Sequence, residues 1–246
     1  MLGLGNSITS GYIPFTLTSV SSLALWLQSG VGITSDGGTP DKVSQWNDSS
    51  GNGNNAIQGT GDNQADLVGG ALDFTEGETD HYDFTDIAIA NEGGFCLAWV
   101  QQSESASLNT LLSDTNNEMI QIQNSSKLRL VTNGSGSAVT TQIHVNGTPF
   151  GNAKAVFLLN RTAGASGAFS VFKNGTELTI EPDSGNSTLA DAGANTHGFS
   201  VDTLGSRNGA DHNFDGKIFE LAFWNRSLTS GEIADVNSYL KNFHGL

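Results

Sequence analysis

Residues 169–180 read FSVFKNGTELTI, and this stretch decides the fold class. Asn174-Gly175 is the dipeptide a two-residue hairpin turn demands, because both central residues take positive φ and these two tolerate it. Strand-forming residues flank the pair on both sides, so the stretch predicts an antiparallel hairpin. Working outward, the same grammar recurs. Short runs rich in Val, Ile, Leu and Phe are punctuated by Gly and Asn at residues 23–28 (LALWLQ), 94–100 (GFCLAWV), 118–123 (EMIQIQ), 127–132 (KLRLVT), 155–160 (AVFLLN), 168–173 (AFSVFK) and 217–224 (KIFELAFW). Such spacing is that of sandwiches and jelly rolls. Asn133-Gly134 and Asn146-Gly147 are read as further hairpin turns.

Helical periodicity appears once, at the carboxy terminus. Thr229 with Glu232 three residues on forms a capping box. Ile233, Val236 and Leu240 follow at spacings of three and four, Phe243 extends that stripe, and Gly245 ends it. The pattern predicts a short amphipathic helix that seals an edge or end of the sandwich.

The 246 residues carry 25 Asp and Glu against 10 Lys and Arg, a net charge of −15. That field repels phosphate backbones, which argues against nucleic acid as a partner. Hydrophobic residues make up 37%, with 13 Phe, enough for a core. Cys96 is the only cysteine, so no intrachain disulfide forms; its flanks, FCLAW, read as a buried strand with an inert thiol. No Lys or Arg precedes Lys42, unlike a secretory signal or transit peptide, and the run LALWL is far too short to span a membrane. The expectation is a protein made in the cytoplasm that engages no membrane. Residues 1–21, MLGLGNSITSGYIPFTLTSVS, carry no charge and read as a docking or assembly arm ahead of one domain over 22–246.

Three segments in order resemble the laminin-G-like branch of the concanavalin A-like lectin/glucanase superfamily. Residues 23–58 resemble its opening strand followed by a Trp-x-Asp-x-Ser-Gly-x-Gly loop. Residues 69–84, GGALDFTEGETDHYDF, are similar to its Leu-x-Phe strand, acidic loop and tyrosine-bearing hairpin. Residues 203–240 resemble its closing Leu-Gly, Phe-x-Gly, Ile-x-Glu-Leu and Asn-Arg-x-Leu pattern with the final helix. The resemblance implies an all-β, antiparallel two-sheet jelly-roll sandwich with one short C-terminal helix. It does not by itself imply a function. The opening MLGLGNSITSG resembles the beginnings of structural proteins from tailed phages of marine bacteria. That likeness implies a non-enzymatic virion protein (capsid decoration, fibre or tail accessory) whose partners are other virion proteins and itself, as a homo-oligomer such as a trimer, and a host-surface glycan. A free lectin-like module and a glucanase-like hydrolase are the alternatives.

Hydrolysis requires two carboxylates across a sugar bond. In the glucanase branch these stand two and four residues apart on one strand. Glu76, Glu78 and Asp80 match that spacing, but Gly77 and Thr79 intervene and the resemblance places them in a loop, so no catalytic residue is assigned. His81, His144, His197, His212 and His244 are scattered, with no pair at metal-binding spacing, and read as loop or surface residues. No cofactor is expected except that calcium suits two oxygen-rich loops, through Asp48 and Asn52 in one and Asp211 and Asp215 in the other. For a sugar, Trp46 and Tyr82 border loops and are the candidate stacking aromatics, whereas Trp26, Trp99 and Trp224 belong to apolar strands and the core.

Overall fold

The computed structural model describes residues 15–75, 77–105, 107–114, 118–133, 138–165, 167–181 and 197–246. Along them run β1 (Leu23–Leu27), β2 (Ile33–Ser35), β3 (Val43–Trp46), β4 (Ala56–Ile57), β5 (Asp66–Val68), β6 (Ala71–Phe74), β7 (Tyr82–Ile89), β8 (Phe95–Ser103) and β9 (Asn109–Ser113). Then come β10 (Met119–Asn124), β11 (Lys127–Thr132), β12 (Val139–His144), β13 (Ala155–Arg161), β14 (Phe169–Lys173), β15 (Thr176–Glu177), β16 (Phe199–Leu204), β17 (Gly216–Trp224) and helix α1 (Ser230–His244). They form two antiparallel sheets. The first has the order β15-β14-β13-β8-β17-β6-β5, with β1 also on β17; the second has the order β12-β11-β10-β9-β16-β7-β4-β3-β2. Because β17 lies beside β8 and β16 beside β7, the two ends of the chain interleave, as a jelly roll requires.

The Asn174-Gly175 hairpin forms as its sequence dictates. Both residues have positive φ, 50° and 82°, and Phe172 pairs with Glu177 while Lys173 pairs with Thr176. Gly134 lies outside the described residues, but β11 and β12 pair from Lys127 with His144 to Thr132 with Val139. Asn146-Gly147 does not close a hairpin. After Val145 the chain leaves the second sheet for β13 in the first, and Asn146 N–H donates to the Thr179 carbonyl. Asn-Gly supplies a bend wherever one is needed; it does not specify which strand lies beyond. The Leu204-Gly205 pair has a packing cause, since a Cβ on Gly205 would overlap the Phe74 ring.

Side chains from the two facing sheets make the main core, in which Trp99 stacks on Phe157 and Phe74 meets Phe214 and Tyr82 edge-on. A second apolar layer covers the outer face of the first sheet, where Cys96, Ala98, Val100, Val156, Leu158 and Trp224 meet Ile233, Val236 and Leu240 of α1. The helix therefore caps a sheet face rather than an edge or end. Burial in this layer pushes the Cys96 thiol far up. Thr229 and Glu232 form the capping box, and Gly245 ends α1 in the left-handed conformation, φ 68°.

Two details of this layer depart from the pattern. The inward row continues from Val236 and Leu240 to His244 at i+4, so Phe243 turns out to solvent, 49% exposed. His244, expected at the surface, is instead enclosed, with Nε2 2.7 Å from Oε2 of the fully buried Glu220. The other Glu220 oxygen accepts from Trp26 Nε1 at 2.7 Å. A carboxylate buried among apolar residues is tolerable only with such partners. The segment before Ser22 is also integral from Phe15 onward: Leu17 and Val20 are buried in this layer and Phe15 meets Tyr239 edge-on. The boundary expected at residue 22 thus falls within packed structure, while residues 1–14 lie outside the described ones. Among the described residues, no helix is long and apolar enough to cross a membrane.

Replacing Leu240 by Ala removes a side chain wedged between helix and sheet and is expected to cost about 2–4 kcal/mol in urea unfolding. Phe243→Ala is expected to cost less than about 1 kcal/mol. Equal losses would contradict the inward row ending on His244.

Candidate binding cleft

The loop between β3 and β4 is organised by one carboxylate. Asp48 Oδ1 accepts from the Trp26 and Ser50 amides at 2.9 and 2.8 Å, and Oδ2 accepts from Ser50 Oγ and the Asn54 amide at 2.7 and 3.0 Å. Asn55 Oδ1 receives the Asp48 amide at 2.9 Å. Gly51 and Gly53 take φ of 92° and 79°, which the loop's reversals require. Asn52 Nδ2 donates to the Leu23 carbonyl at 2.7 Å and Asn54 Nδ2 to the Ala24 carbonyl at 2.9 Å, so the loop is sewn to the start of β1.

This geometry bears on the calcium expectation. Asp48 holds four N–H and O–H donors, which a cation would have to displace, and Asn52 uses its amide nitrogen on β1. In the second loop Asp211 is gripped by the Arg207 guanidinium, with Nε 2.6 Å from Oδ1, and that hydrogen bond holds its carboxyl below the usual range. Asp215 anchors through its backbone: its carbonyl accepts from the Glu104 amide at 2.9 Å and its amide donates to Asn109 Oδ1 at 3.0 Å. Among the described residues, no group of three His, Cys, Asp or Glu side chains is placed to hold a metal.

The two candidate stacking aromatics belong to the interior. Trp46 and Tyr82 are both fully buried. Trp46 Nε1 donates to the Gln28 carbonyl at 2.9 Å; Tyr82 Oη donates to the Val43 carbonyl at 2.9 Å and accepts from the Ala65 amide at 3.0 Å. A ring enclosed on both faces has none left for a sugar, so these positions are packing residues. Of the acidic trio, Glu76 is outside the described residues and Glu78 lies 3.4 Å from Lys42 Nζ. Asp80 is buried with Oδ2 accepting from the Thr75 amide at 3.1 Å, and burial raises its pKa.

A carboxyl pair that spacing did not reveal closes the β9–β10 connection. Burial, then the hydrogen bond and charge of Asp114, push Glu118 up to about 7. Carboxyls bonded directly to each other leave no room for a glycosidic link, which needs about 5 Å or more between them. Nearby, burial and then the charges of Asp114, Asp83 and Asp86 raise Asp202. Strands β7 and β16 thus gather carboxylates.

Between that acidic wall and the Asp48 loop lies an open cleft of about 400 Å³. Ser22, Leu23, Ala24, Asn52 and Asn54 line one side, Asp86, Ile87 and Ala88 of β7 the other, with Asn225 alongside. A second hollow of about 510 Å³ continues past the loop, bounded by Asn55, Ile57 and Gln58 and by Asp83, Phe84 and Thr85. The sequence points to Asn52 only as a metal ligand; Ser22 just before β1, Asp86 in β7 and Asn225 just after β17 carry no local signal.

Residues 76–234 match the family model described as the concanavalin A-like lectin/glucanases superfamily. Among solved structures, the chain is similar to the botulinum neurotoxin serotype D ligand-binding domain in complex with N-acetylneuraminic acid, at 16% identity and TM-score 0.55 over 91% of this chain and 52% of that one. It is also similar to the binding domain of Paraclostridial Mosquitocidal Protein 1, at 12% identity and TM-score 0.55 over 92% and 54%. A third is the binding domain of botulinum neurotoxin DC in complex with rat synaptotagmin II, at 12% identity and TM-score 0.55 over 89% and 52%. At such identities the likeness is one of fold, and this chain spans about half the length of the structures it matches. No curated protein matches the chain.

The Asp114–Glu118 pair makes a pH prediction. Folding raises the Glu118 pKa from 4.5 to about 7, so its contribution to stability is full below pH 4.5 and is lost as pH rises through about 7. Thermal melts between pH 4.5 and 8 should show that loss, and Glu118→Gln should flatten it; an unaltered profile in the variant would place the titration elsewhere.

Proposed function

The chain belongs to the concanavalin A-like lectin/glucanase superfamily, and we propose that it is a non-enzymatic binding protein of a tailed-phage particle. In this reading it is a capsid decoration, fibre or tail accessory whose jelly roll recognises a surface glycan. The observation that carries the binding role is the open polar cleft, walled by a loop whose hydrogen bonds hold it rigidly on β1. A site of this kind holds a ligand through many polar contacts without a reactive group. Against hydrolysis stand the burial of Asp80, the Glu78–Lys42 pair and the closed Asp114–Glu118 pair. Binding domains of the same fold form complexes with N-acetylneuraminic acid and with rat synaptotagmin II, and a surface-recognition role for this chain follows that precedent.

The virion setting is supported by the uncharged opening MLGLGNSITSG and by the net charge of −15, which limits clumping of particles that display many copies. The opening leads into the domain at Phe15, against Tyr239 of α1. A free lectin-like module is the second reading, favoured by the same cleft.

Light scattering on the full chain and on a chain beginning at Phe15 separates the two. The virion role predicts a homo-oligomer, a trimer if it is a fibre, that becomes a folded monomer without residues 1–14. Two monomers, together with glycan binding on an array, would overturn the virion role in favour of the free lectin. Release of reducing sugar from laminarin by the purified chain would overturn the non-enzymatic reading.

A further inference from the structure

We propose that the cleft between β1, the Asp48 loop and β7 selects sugars bearing free amines over neutral ones and rejects anionic glycans. This inference rests on the glycan-binding role above and adds its specificity.

The argument starts from amide chemistry. A primary amide has a donor end and an acceptor end. Asn52 Nδ2 donates to the Leu23 carbonyl at 2.7 Å and the Ala24 carbonyl at 3.2 Å, and Asn54 Nδ2 donates to the Ala24 carbonyl at 2.9 Å. Carbonyl oxygens only accept, so the backbone of β1 fixes which way each amide points. The group each asparagine leaves for a ligand is its oxygen, Oδ1. The opposite wall adds the exposed carboxylate of Asp86, which accepts a long hydrogen bond from Ser200 Oγ at 3.5 Å. Among the lining side chains, the Ser22 hydroxyl and the Asn225 amide are the other donors, and no lining residue is Lys or Arg.

Electrostatics points the same way. Asp83 flanks the cleft in the adjoining hollow, and Asp202 is raised by burial and then by the charges of Asp114, Asp83 and Asp86. The whole chain carries −15. A sialyl or uronyl carboxylate entering here would meet like charge with no guanidinium or ammonium to receive it. A sugar hydroxyl can donate to Asn52 and Asn54. An ammonium can do so and also pair with Asp86, and a charge-assisted hydrogen bond is about twice as strong as a neutral one.

The test is calorimetric titration of the full chain at pH 6 and moderate salt with three probes: a glucosamine hexamer, an N-acetylglucosamine hexamer and 3′-sialyllactose. The expected order is glucosamine tightest, by about tenfold over the acetylated hexamer, as one added charged hydrogen bond implies, with no sialyllactose binding. Asp86→Asn should erase most of that tenfold difference by weakening the glucosamine hexamer more than the acetylated one. Asp235→Asn, on the exposed side of α1, should leave the difference intact. Tight sialyllactose binding would overturn the specificity, as would equal losses in the two variants, which would assign the preference to the overall charge. Failure of every probe to bind would instead count against the glycan-binding role and remove this inference with it.

Discussion

Strands β8, β13 and β17 are apolar on both faces, and the rest of the structure follows from the need to cover both. Leu97, Trp99, Phe157, Leu159, Leu221 and Phe223 point between the sheets, while Cys96, Ala98, Val100, Val156, Leu158 and Trp224 point outward. A sheet with one wet face would alternate apolar and polar residues; these strands read FCLAWV, AVFLLN and KIFELAFW because neither face is wet. The outward set is covered by α1 and by Phe15–Val20, and each cover is pinned by polar contacts. The Arg226 guanidinium holds Glu232 at 2.6 Å, draws its carboxyl down to about 2 and also bonds Ser21. Beneath the end of the helix, Glu220 joins Trp26 to His244.

The cleft depends on a smaller device of the same logic. Asp48 satisfies donors from β1 and from its own loop, so a glycine- and asparagine-rich stretch is held without a core of its own. That rigidity is what lets Asn52 and Asn54 present a defined chemical face. The strands flanking the loop and β7 opposite belong to the second sheet, whereas Leu23 and Ala24 belong to β1 of the first, so the cleft is a property of the sandwich rather than of either sheet.

Much of the fold was legible in residue order. The seven clearest strands, the Asn174-Gly175 hairpin and the capping box on Thr229 all rest on local rules, in which a side chain's effect reaches only its near neighbours. The resemblance to the superfamily was legible too, and the family model matches residues 76–234, which hold most of the third segment and leave out the first. The errors share a cause. Asn146-Gly147 bends the chain, but the partner of the next strand is set by the other sheet. Phe243 and His244 differ by one step around the helix, and a buried glutamate more than twenty residues back decides which turns inward. Trp46 and Tyr82 border loops in sequence yet are enclosed by strands distant from them.

By itself, then, the sequence determined the all-β class, the antiparallel jelly-roll architecture, the single terminal helix and the acidic surface. The class, the helix and the acidic balance follow from composition, periodicity or turn chemistry, which act over a few residues, and the jelly-roll architecture from the resemblance of three segments to the superfamily. Only the tertiary structure decided that the helix covers a sheet face, that the stretch from Phe15 is part of the domain, and that Ser22, Asn52, Asn54, Asp86 and Asn225 share one cleft. Those facts depend on which strands pair across the two sheets, and pairing is set by packing between residues up to some two hundred positions apart, where local preference carries no information.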